Sequence, residues 1–509
     1  MQEFICQNGE KILYTGQPDF ILLEELSKGV GDIWHSSFNQ GFKNVFPEIM
    51  HQNPLFWFVN DFDNLQQAVS WRINPFAFAV RKNIWLQIGG FETDYDSQFM
   101  AALDFGYRAV RYLGAVSLFV DQLFVSEPTH VVKISRVDRY RFFLKNFKKQ
   151  HAFFMLYRKG FWNILEWFAF IKALLKYIKN IDNQFVTPRI LQSIKVQSTV
   201  SYIIPTMMRQ QYTRQLLDDL KMQTYLPTQV VIVDATPENQ RNDSLYDFSN
   251  YPFDVVIQWQ KTQGSCRARN EAIKLCTSDY IIFGDDDIRV FPDFIENHIR
   301  FLQTNKADAC NGIDIQADNL SQDLSDLRRK YNQMPSDRLI AGVAQSFSNA
   351  NSCVKTSAVK KLVGNDINFD GGYGEDSDFG LSLLKIGVTV LYNPFSPNLH
   401  LKPLSGGYRF WGSQSKILGN KRKSQPWELD VPVKFVRPVP SPTVMYGIVK
   451  QYNASQLREY KHKHFFYYLF KNNLWTLPFR FFRIPYKLLQ FQKSLHYANA
   501  LLKRGIRHD

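Results

Sequence analysis

The sequence predicts an α/β fold on a parallel, doubly wound sheet across residues 196–420. Three observations lead there. Short apolar runs alternate with helical stretches from residue 199 onward, the runs are short enough for buried strands, and acidic residues stand at their carboxyl ends. TVSYIIPT (199–206) is the first run, closed by Pro205. RQLLDDLKMQ (214–223) reads as a helix, QVVIVDAT (229–236) and DVVIQWQ (254–260) as the second and third strands. GSCRARNEAIKLC (264–276) opens on Gly and Ser and carries apolar residues at helical spacing, so it is a loop running into a helix. DYIIFGDDD (279–287) is the fourth strand. In such sheets ligands bind beyond the carboxyl ends of the strands, where Asp234 and residues 285–287 stand.

The later landmarks are 349–364, 369–392 and 400–410. DSDFGLSLLKIG (376–387) reads as an amphipathic helix ended by Gly387. Glu375 and Asp376 stand at its start, where the helix dipole favours negative charge. The chain also echoes itself. At an offset of 274 residues, Val80–Arg81 aligns with Val354–Lys355, Gly90 with Gly364, and the triplet 104–106 with 378–380. Glu375 and Asp376 then fall on Ala101 and Ala102, so residues 1–135 read as a half-module without its carboxylates.

Composition bounds the rest. Hydrophobic residues make up 45% of the 509 and charged residues 21%, which fits a well-cored chain of several domains. Five scattered cysteines with no C-x-x-C pair argue against a zinc site or a disulfide framework and for a reducing compartment. With no signal-like start and no long apolar run, the expected location is the cytoplasm. The net charge of +14 is concentrated in 136–180 and 455–509, each with 11 Lys/Arg against two acids and rich in aromatics. Such segments suit an anionic membrane surface, on the inner face of the cell membrane, or else bury their aromatics in the core. Nothing resembles a nucleic-acid-reading motif. The expected division is 1–135, a helical linker over 136–195, 196–420, and a basic extension over 421–509.

Asp285, Asp286 and Asp287 follow the apolar YIIF run directly. Carboxylates this close raise one another's pKa unless a cation lies between them. The triplet therefore asks for a divalent metal or a cationic ligand, and without one is expected to be strained or mobile.

Six elements in this order, VSYIIPT, VVIVDAT, GSCRARNEAI, FGDDDI, GGYGEDSDFG and His400, resemble the family 2 glycosyltransferases of the GT-A fold over residues 199–410. The resemblance implies a mixed sheet of the nucleotide-binding, Rossmann-like kind. It implies inverting, metal-dependent transfer of a sugar from a nucleotide-sugar, UDP favoured, to a saccharide or lipid-linked acceptor in bacterial surface glycan synthesis. It implies that Asp287, with Asp285 and His400, ligates Mn²⁺ or Mg²⁺. Hard oxygen donors suit those ions, which stabilise a leaving diphosphate as Lewis acids. Pro205, Thr206, Arg209, Asp234, Gly264, Arg267, Arg269, Asn270, Asp285 and Asp286 would line the nucleotide-sugar site. Asp376 would be the general base, with Glu375 orienting the acceptor. Tyr373, Gly374, Tyr408 and Trp411 are candidate acceptor contacts.

Three other classes compete. A sugar nucleotidyltransferase would need a G-x-G-T-R-like loop where this chain has PTMMRQQ. A processive membrane synthase would need spanning segments and a Q-x-x-R-W element, and the sequence has neither. A non-catalytic sugar-binding scaffold suits the N-terminal half, given Ala101 and Ala102, but not the half with intact carboxylates.

Overall fold

The structure, a computed structural model, describes the chain except for residues 53–56, 58, 126–131, 176–184, 188, 247–249, 409–424 and 471–473. It is an α/β chain with two sheets. The N-terminal sheet comprises β1 (Gln2–Ile5), β2 (Lys11–Thr15), β3 (Ile33–His35), β4 (Gln67–Val69), β5 (Phe78–Arg81) and β6 (Ser117–Val120), in the order β1-β2-β5-β3-β6-β4. The larger sheet holds β7 (Val200–Thr206), β8 (Gln229–Asp234), β9 (Asp254–Trp259), β10 (Tyr280–Gly284), β11 (Ile288–Val290), β12 (Ala309–Gln316), β13 (Gly342–Val343), β14 (Asn351–Lys355) and β15 (Val390–His400). Its order is β11-β15-β12-β14-β10-β7-β8-β9, with β13 on β15.

The sheet is mixed, as the resemblance to the GT-A fold implies. β9, β8, β7 and β10 run parallel, and β14 enters antiparallel beside β10. All seven residues of β7 are buried, which is why it reads as a continuous apolar run rather than an alternating one. Helix Gln210–Lys221 starts four residues before the expected 214, because the Arg209 carbonyl accepts from the amides of Tyr212 and Thr213. Its buried face carries Thr213, Leu216, Leu217 and Leu220 at helical spacing. Helix Ser265–Leu275 crosses back to β10. The parallel strands therefore deliver Thr206, Asp234 and Gly284 to one edge of the sheet.

The sequence echo has a topological counterpart. β5 pairs antiparallel with β3, β3 parallel with β6, and β4 antiparallel with β6. In the larger sheet β14 pairs antiparallel with β12, β12 parallel with β15, and β13 antiparallel with β15. The aspartate of each D-F-G triplet anchors a later helix. Asp104, on helix Gln98–Arg111, accepts from Asn146 Nδ2 at 2.6 Å, at the end of helix Arg136–Asn146. Asp378, on helix Glu375–Lys385, accepts from Lys450 Nζ at 2.7 Å and Gln451 Nε2 at 2.6 Å, at the end of helix Pro442–Gln451.

The basic, aromatic segments are helical, and part of their aromatic content is core. Phe369, Trp427, Tyr446, Phe491 and Tyr497 share one buried cluster beneath the C-terminal helices. None of the helices among the described residues is long and apolar enough to cross a membrane. All five cysteines are free and buried.

Two wholly buried histidines set a pH limit. Burial lowers the pKa of His35 and of His298 to about 4. Unfolded rings take up protons near pH 6.5 and the folded ones only near 4. Their contribution is therefore intact above pH 6.5 and lost as pH falls toward 4. Denaturant titrations of the native chain and of His298→Gln at pH 7 and pH 5 should show the native chain losing roughly 2 kcal/mol more than the variant over that interval. Equal losses would contradict the buried neutral ring.

Candidate functional site

Strand register assembles the acidic centre. β11 pairs antiparallel with β15 so that Ile288 stands opposite His400, which sets the preceding Asp287 beside the imidazole. The Leu401 amide then donates to the Asp287 carbonyl at 2.8 Å. β12 runs parallel to β15 with Asp314 opposite Asn398, and His400 Nδ1 lies 3.1 Å from Asp314 Oδ1. His400 Nε2 reaches Asp287 Oδ1 at 3.2 Å. Burial disfavours the charged ring, but Asp287 and Asp314 outweigh it and push the His400 pKa up to about 10.

The three aspartates are paired within the chain, which supplies cations of its own beside them. Arg209, at the start of helix Gln210–Lys221, places Nη1 2.9 Å from Asp287 Oδ2 and 3.3 Å from Asp286 Oδ1. Arg269, on helix Ser265–Leu275, donates from Nη2 to Asp285 Oδ1 at 2.7 Å. Asp286 also accepts from Thr206 Oγ1 at 2.7 Å. Burial dominates at Asp286 and pushes its pKa up to about 7 against the pull of Arg209. At Asp287 burial is overcome by His400 and Arg209, which hold the carboxyl below its usual range.

Arg209 also ties down the segment after β15. Its Nη2 donates to the Pro403 carbonyl at 2.9 Å and its Nε to the Ser405 carbonyl at 3.1 Å. Gly407 makes this approach feasible. Its φ is +73°, and a Cβ there would lie 2.8 Å from the guanidinium carbon.

Across the cleft, Gly374 adopts φ +108° and starts helix Glu375–Lys385 without delay, so both carboxylates sit on its first turn. Asn349 Nδ2 donates to Asp376 Oδ1 at 2.6 Å. A cavity of about 310 Å³ separates the two acidic groups. Of the sequence candidates, Pro205, Arg209, Arg269, Asp285, Asp286, Asp287, Glu375, Asp376, His400 and Tyr408 line it together.

The remaining candidates stand behind this wall. Thr206 holds Asp286 from beneath. Asp234 accepts from the Thr236 amide at 2.7 Å and the Tyr246 hydroxyl at 2.8 Å, pinning the loop after β8. Asn270 grips the Asn365 amide and carbonyl and the His508 carbonyl. Gly264 packs where a Cβ would strike Asp370, and Arg267 lies 4.0 Å from that carboxylate. Tyr373 is on the surface, Gly374 turns the chain, and Trp411 lies outside the described residues. Asp314, Asn349 and Lys402 were not legible as site residues. Asp314 sits inside an ordinary strand run, and Asn349 and Lys402 belong to no spacing pattern.

The donor set suits a hard divalent ion. One ligand atom each of Asp285, Asp287 and His400 lies within 4.8 Å of the others, the one such cluster found among the described residues. The site also suits an anionic ligand. Arg269 is deeply buried, and its Nε and Nη1 have no hydrogen-bond partner. Burial works against its charge, yet Asp285, Asp376 and Glu375 hold the guanidinium firmly protonated.

Residues 201–362 match the model of Glycosyl transferase family 2. Glycosyltransferase GlyA of Streptococcus pneumoniae is 24% identical over 117 residues, which is 23% of this chain and 17% of that protein. The uncharacterized glycosyltransferase YibD of Escherichia coli is 27% identical over 141 residues, 28% of this chain and 39% of that protein. The matches thus span well under half the length of either relative. Among solved structures, Staphylococcus aureus TarS 1–349 in complex with UDP-GlcNAc aligns at TM-score 0.34 and 15% identity, over 60% of this chain and 88% of that one. The mannosyltransferase PcManGT from Pyrobaculum calidifontis, in complex with GDP-Man and Mn²⁺, aligns at TM-score 0.34 and 14% identity, over 67% and 93%. Both structural likenesses are loose. By sequence, residues 201–362 are similar to the family 2 glycosyl transferases.

Proposed function

We infer that the chain is an inverting glycosyltransferase of GT-A type that moves a sugar from a nucleotide-sugar to a hydroxyl of a saccharide or lipid-linked acceptor. One observation carries the reading. Two acidic groups face one cavity, Asp285, Asp287 and His400 on one side and Glu375 and Asp376 on the other, and Arg269 lines it between them.

Asp285, Asp287 and His400 would hold Mn²⁺ or Mg²⁺. Such an ion supplies Lewis-acid stabilisation to a diphosphate as charge grows on it. Arg269 lines the same cavity and would bind the diphosphate oxygens. Pro205, at the end of β7, lies against the nucleobase. Asp234 would accept from a pyrimidine N–H, which favours UDP, only if the loop holding Tyr246 opened to uncover it, because it is buried behind the cavity wall. Asp376, oriented by Asn349, takes the proton of the attacking hydroxyl, and Glu375 holds the acceptor beside it. One in-line displacement inverts the anomeric centre.

Residues 196–420 form the catalytic unit, followed by the extension 421–509, and the linker 136–195 joins it to the half-module 1–135. The repeated strand pairings support that half-module reading. Buried Ala101 and Ala102 favour a binding or scaffolding role for the N-terminal half rather than a second catalytic centre. Five free cysteines support a cytoplasmic location, and surface polysaccharide assembly is the setting that fits a bacterial enzyme of this class.

The direct test is a hydrolysis screen over UDP- and GDP-sugars with Mn²⁺, reading released nucleotide. Release from a UDP-sugar is expected, and none from any donor would contradict the reading. Asp376→Asn should lower turnover by roughly 10²–10⁴ while UDP binding survives. Equal loss of binding would make Asp376 architectural. Asp287→Ala should abolish metal-dependent UDP binding in calorimetry; unchanged heats would remove it from the metal set. Arg209→Ala leaves Asp286 and Asp287 short of a cation, so denaturant unfolding should show a loss of up to about 3–5 kcal/mol. Native stability in that variant would contradict the charge compensation.

A further inference from the structure

Helix Ile164–Leu175 buries Glu166, Ala169 and Ala173 and turns a stripe of Ile164, Phe168, Ile171 and Leu175 outward. That spacing is one helical face. Trp162, just before it, is 91% exposed and Leu175 is 82% exposed. A second apolar surface follows helix Ala454–Phe470: in helix Leu477–Phe482, Phe479 is 73% and Phe482 82% exposed.

A seam of rings leads from one toward the other. Phe161 stacks near Phe153 with centroids 5.3 Å apart, Phe153 lies 6.5 Å from Phe466, and Phe466 lies 4.8 Å from Phe470. Beside the seam is a cavity of about 250 Å³. Phe465, Phe466 and Leu469 form its apolar walls, and Arg458, Lys461 and His462 its basic ones.

The charge around these surfaces has one sign. Every acid of the helices Arg136–Asn146, Ile164–Leu175 and Ala454–Phe470 is buried: Asp138, Glu166 and Glu459. Glu166 is held by Arg136 and Arg139, and Glu459 by Arg158 at 2.5 Å. The exposed charges are cations, Lys172, Arg458, Lys461 and Arg483.

We propose that this face is a docking surface for an anionic phospholipid bilayer. The stripe of Ile164, Phe168, Ile171 and Leu175 would enter the acyl boundary, and Arg458 and Lys461 would meet headgroup phosphate. Aliphatic side chains dominate the stripe, and hydrocarbon is what they gain from contacting. A second copy fits poorly, because it would bring cation against cation with no exposed acid to pair. No described helix crosses a bilayer, so the surface lies in the interface. Helix Ala454–Phe470 begins three residues after Gln451, which bonds Asp378 on the helix that carries Asp376. The surface is thus linked to the proposed site by hydrogen bonds, yet it stands independently of the donor-site reading.

The test is flotation of the full chain with phosphatidylcholine vesicles and with equimolar phosphatidylcholine–phosphatidylglycerol vesicles. Flotation with the second, weakened by salt, is expected. Arg458→Ala with Lys461→Ala should lower partitioning about thirty-fold, the worth of two cations near an anionic surface. Phe168→Ser with Ile171→Ser should lower it at least about tenfold with an unchanged melting temperature. The proposal is overturned if the native chain fails to float, if both double variants float as well as the native chain, or if the serine variant instead dissolves a dimer seen in sedimentation. A chain that floats and binds no UDP would overturn the donor-site reading and leave this one standing.

Discussion

Compensation of buried negative charge is the constraint on which the rest of the structure turns. Asp286 and Asp287 are buried side by side, and unpaired carboxylates in such a place would be protonated or would push the loop open. His400 and Arg209 keep Asp287 ionised from two different elements, Arg209 pulls against the burial that raises Asp286, and Arg269 pairs with Asp285 beside them. The same contacts fix the geometry of the cleft. Arg209 joins the end of β7 to the turn after β10 and to the segment after β15, and His400 joins β15 to β12 through Asp314. A cation reaching Asp287 from outside meets a site whose electrostatics are already balanced, so its entry is an exchange of partners rather than the filling of a hole.

Much of this was legible in the sequence because the relevant signals are local. Apolar runs with acids at their ends identify the strands, and β7, β8, β9 and β10 lie within three residues of where the runs place them. What escaped was set by register and packing. Asp314 lies beside His400 only because β12 and β15 run parallel with a shift in register between Asn311 and Ile313. Asn349 meets Asp376 across a gap of 27 residues. Arg209 was legible as a ligand-side cation, but its pairing with the aspartates depends on a helix that begins at 210 rather than 214. Asp234 and Asn270 stand near the expected place and serve neighbouring loops, a distinction that side-chain direction decides and sequence does not carry.

The two halves of the chain share a structural device whose role the sequence echo does not reveal. In a helix opening with carboxylates, Asp378 looks like part of the chemistry, yet it docks the helix Pro442–Gln451, as Asp104 docks Arg136–Asn146. The aspartate of each triplet serves docking in both halves of the chain. Burying Ala101 and Ala102 where charges would stand removes the need for compensating cations there. The basic helices that follow each triplet then pack on one another through Arg158 and Glu459 and the rings around Phe466.

The central claim is that the balanced acidic centre is a divalent-cation and diphosphate site. Anomalous scattering from a crystal grown with Mn²⁺ and UDP tests it most directly. A single manganese peak within coordinating distance of Asp285, Asp287 and His400, with diphosphate oxygens toward Arg269, is the expected result. UDP absent from the cleft, or manganese found elsewhere while Arg209 still holds Asp287, would contradict it.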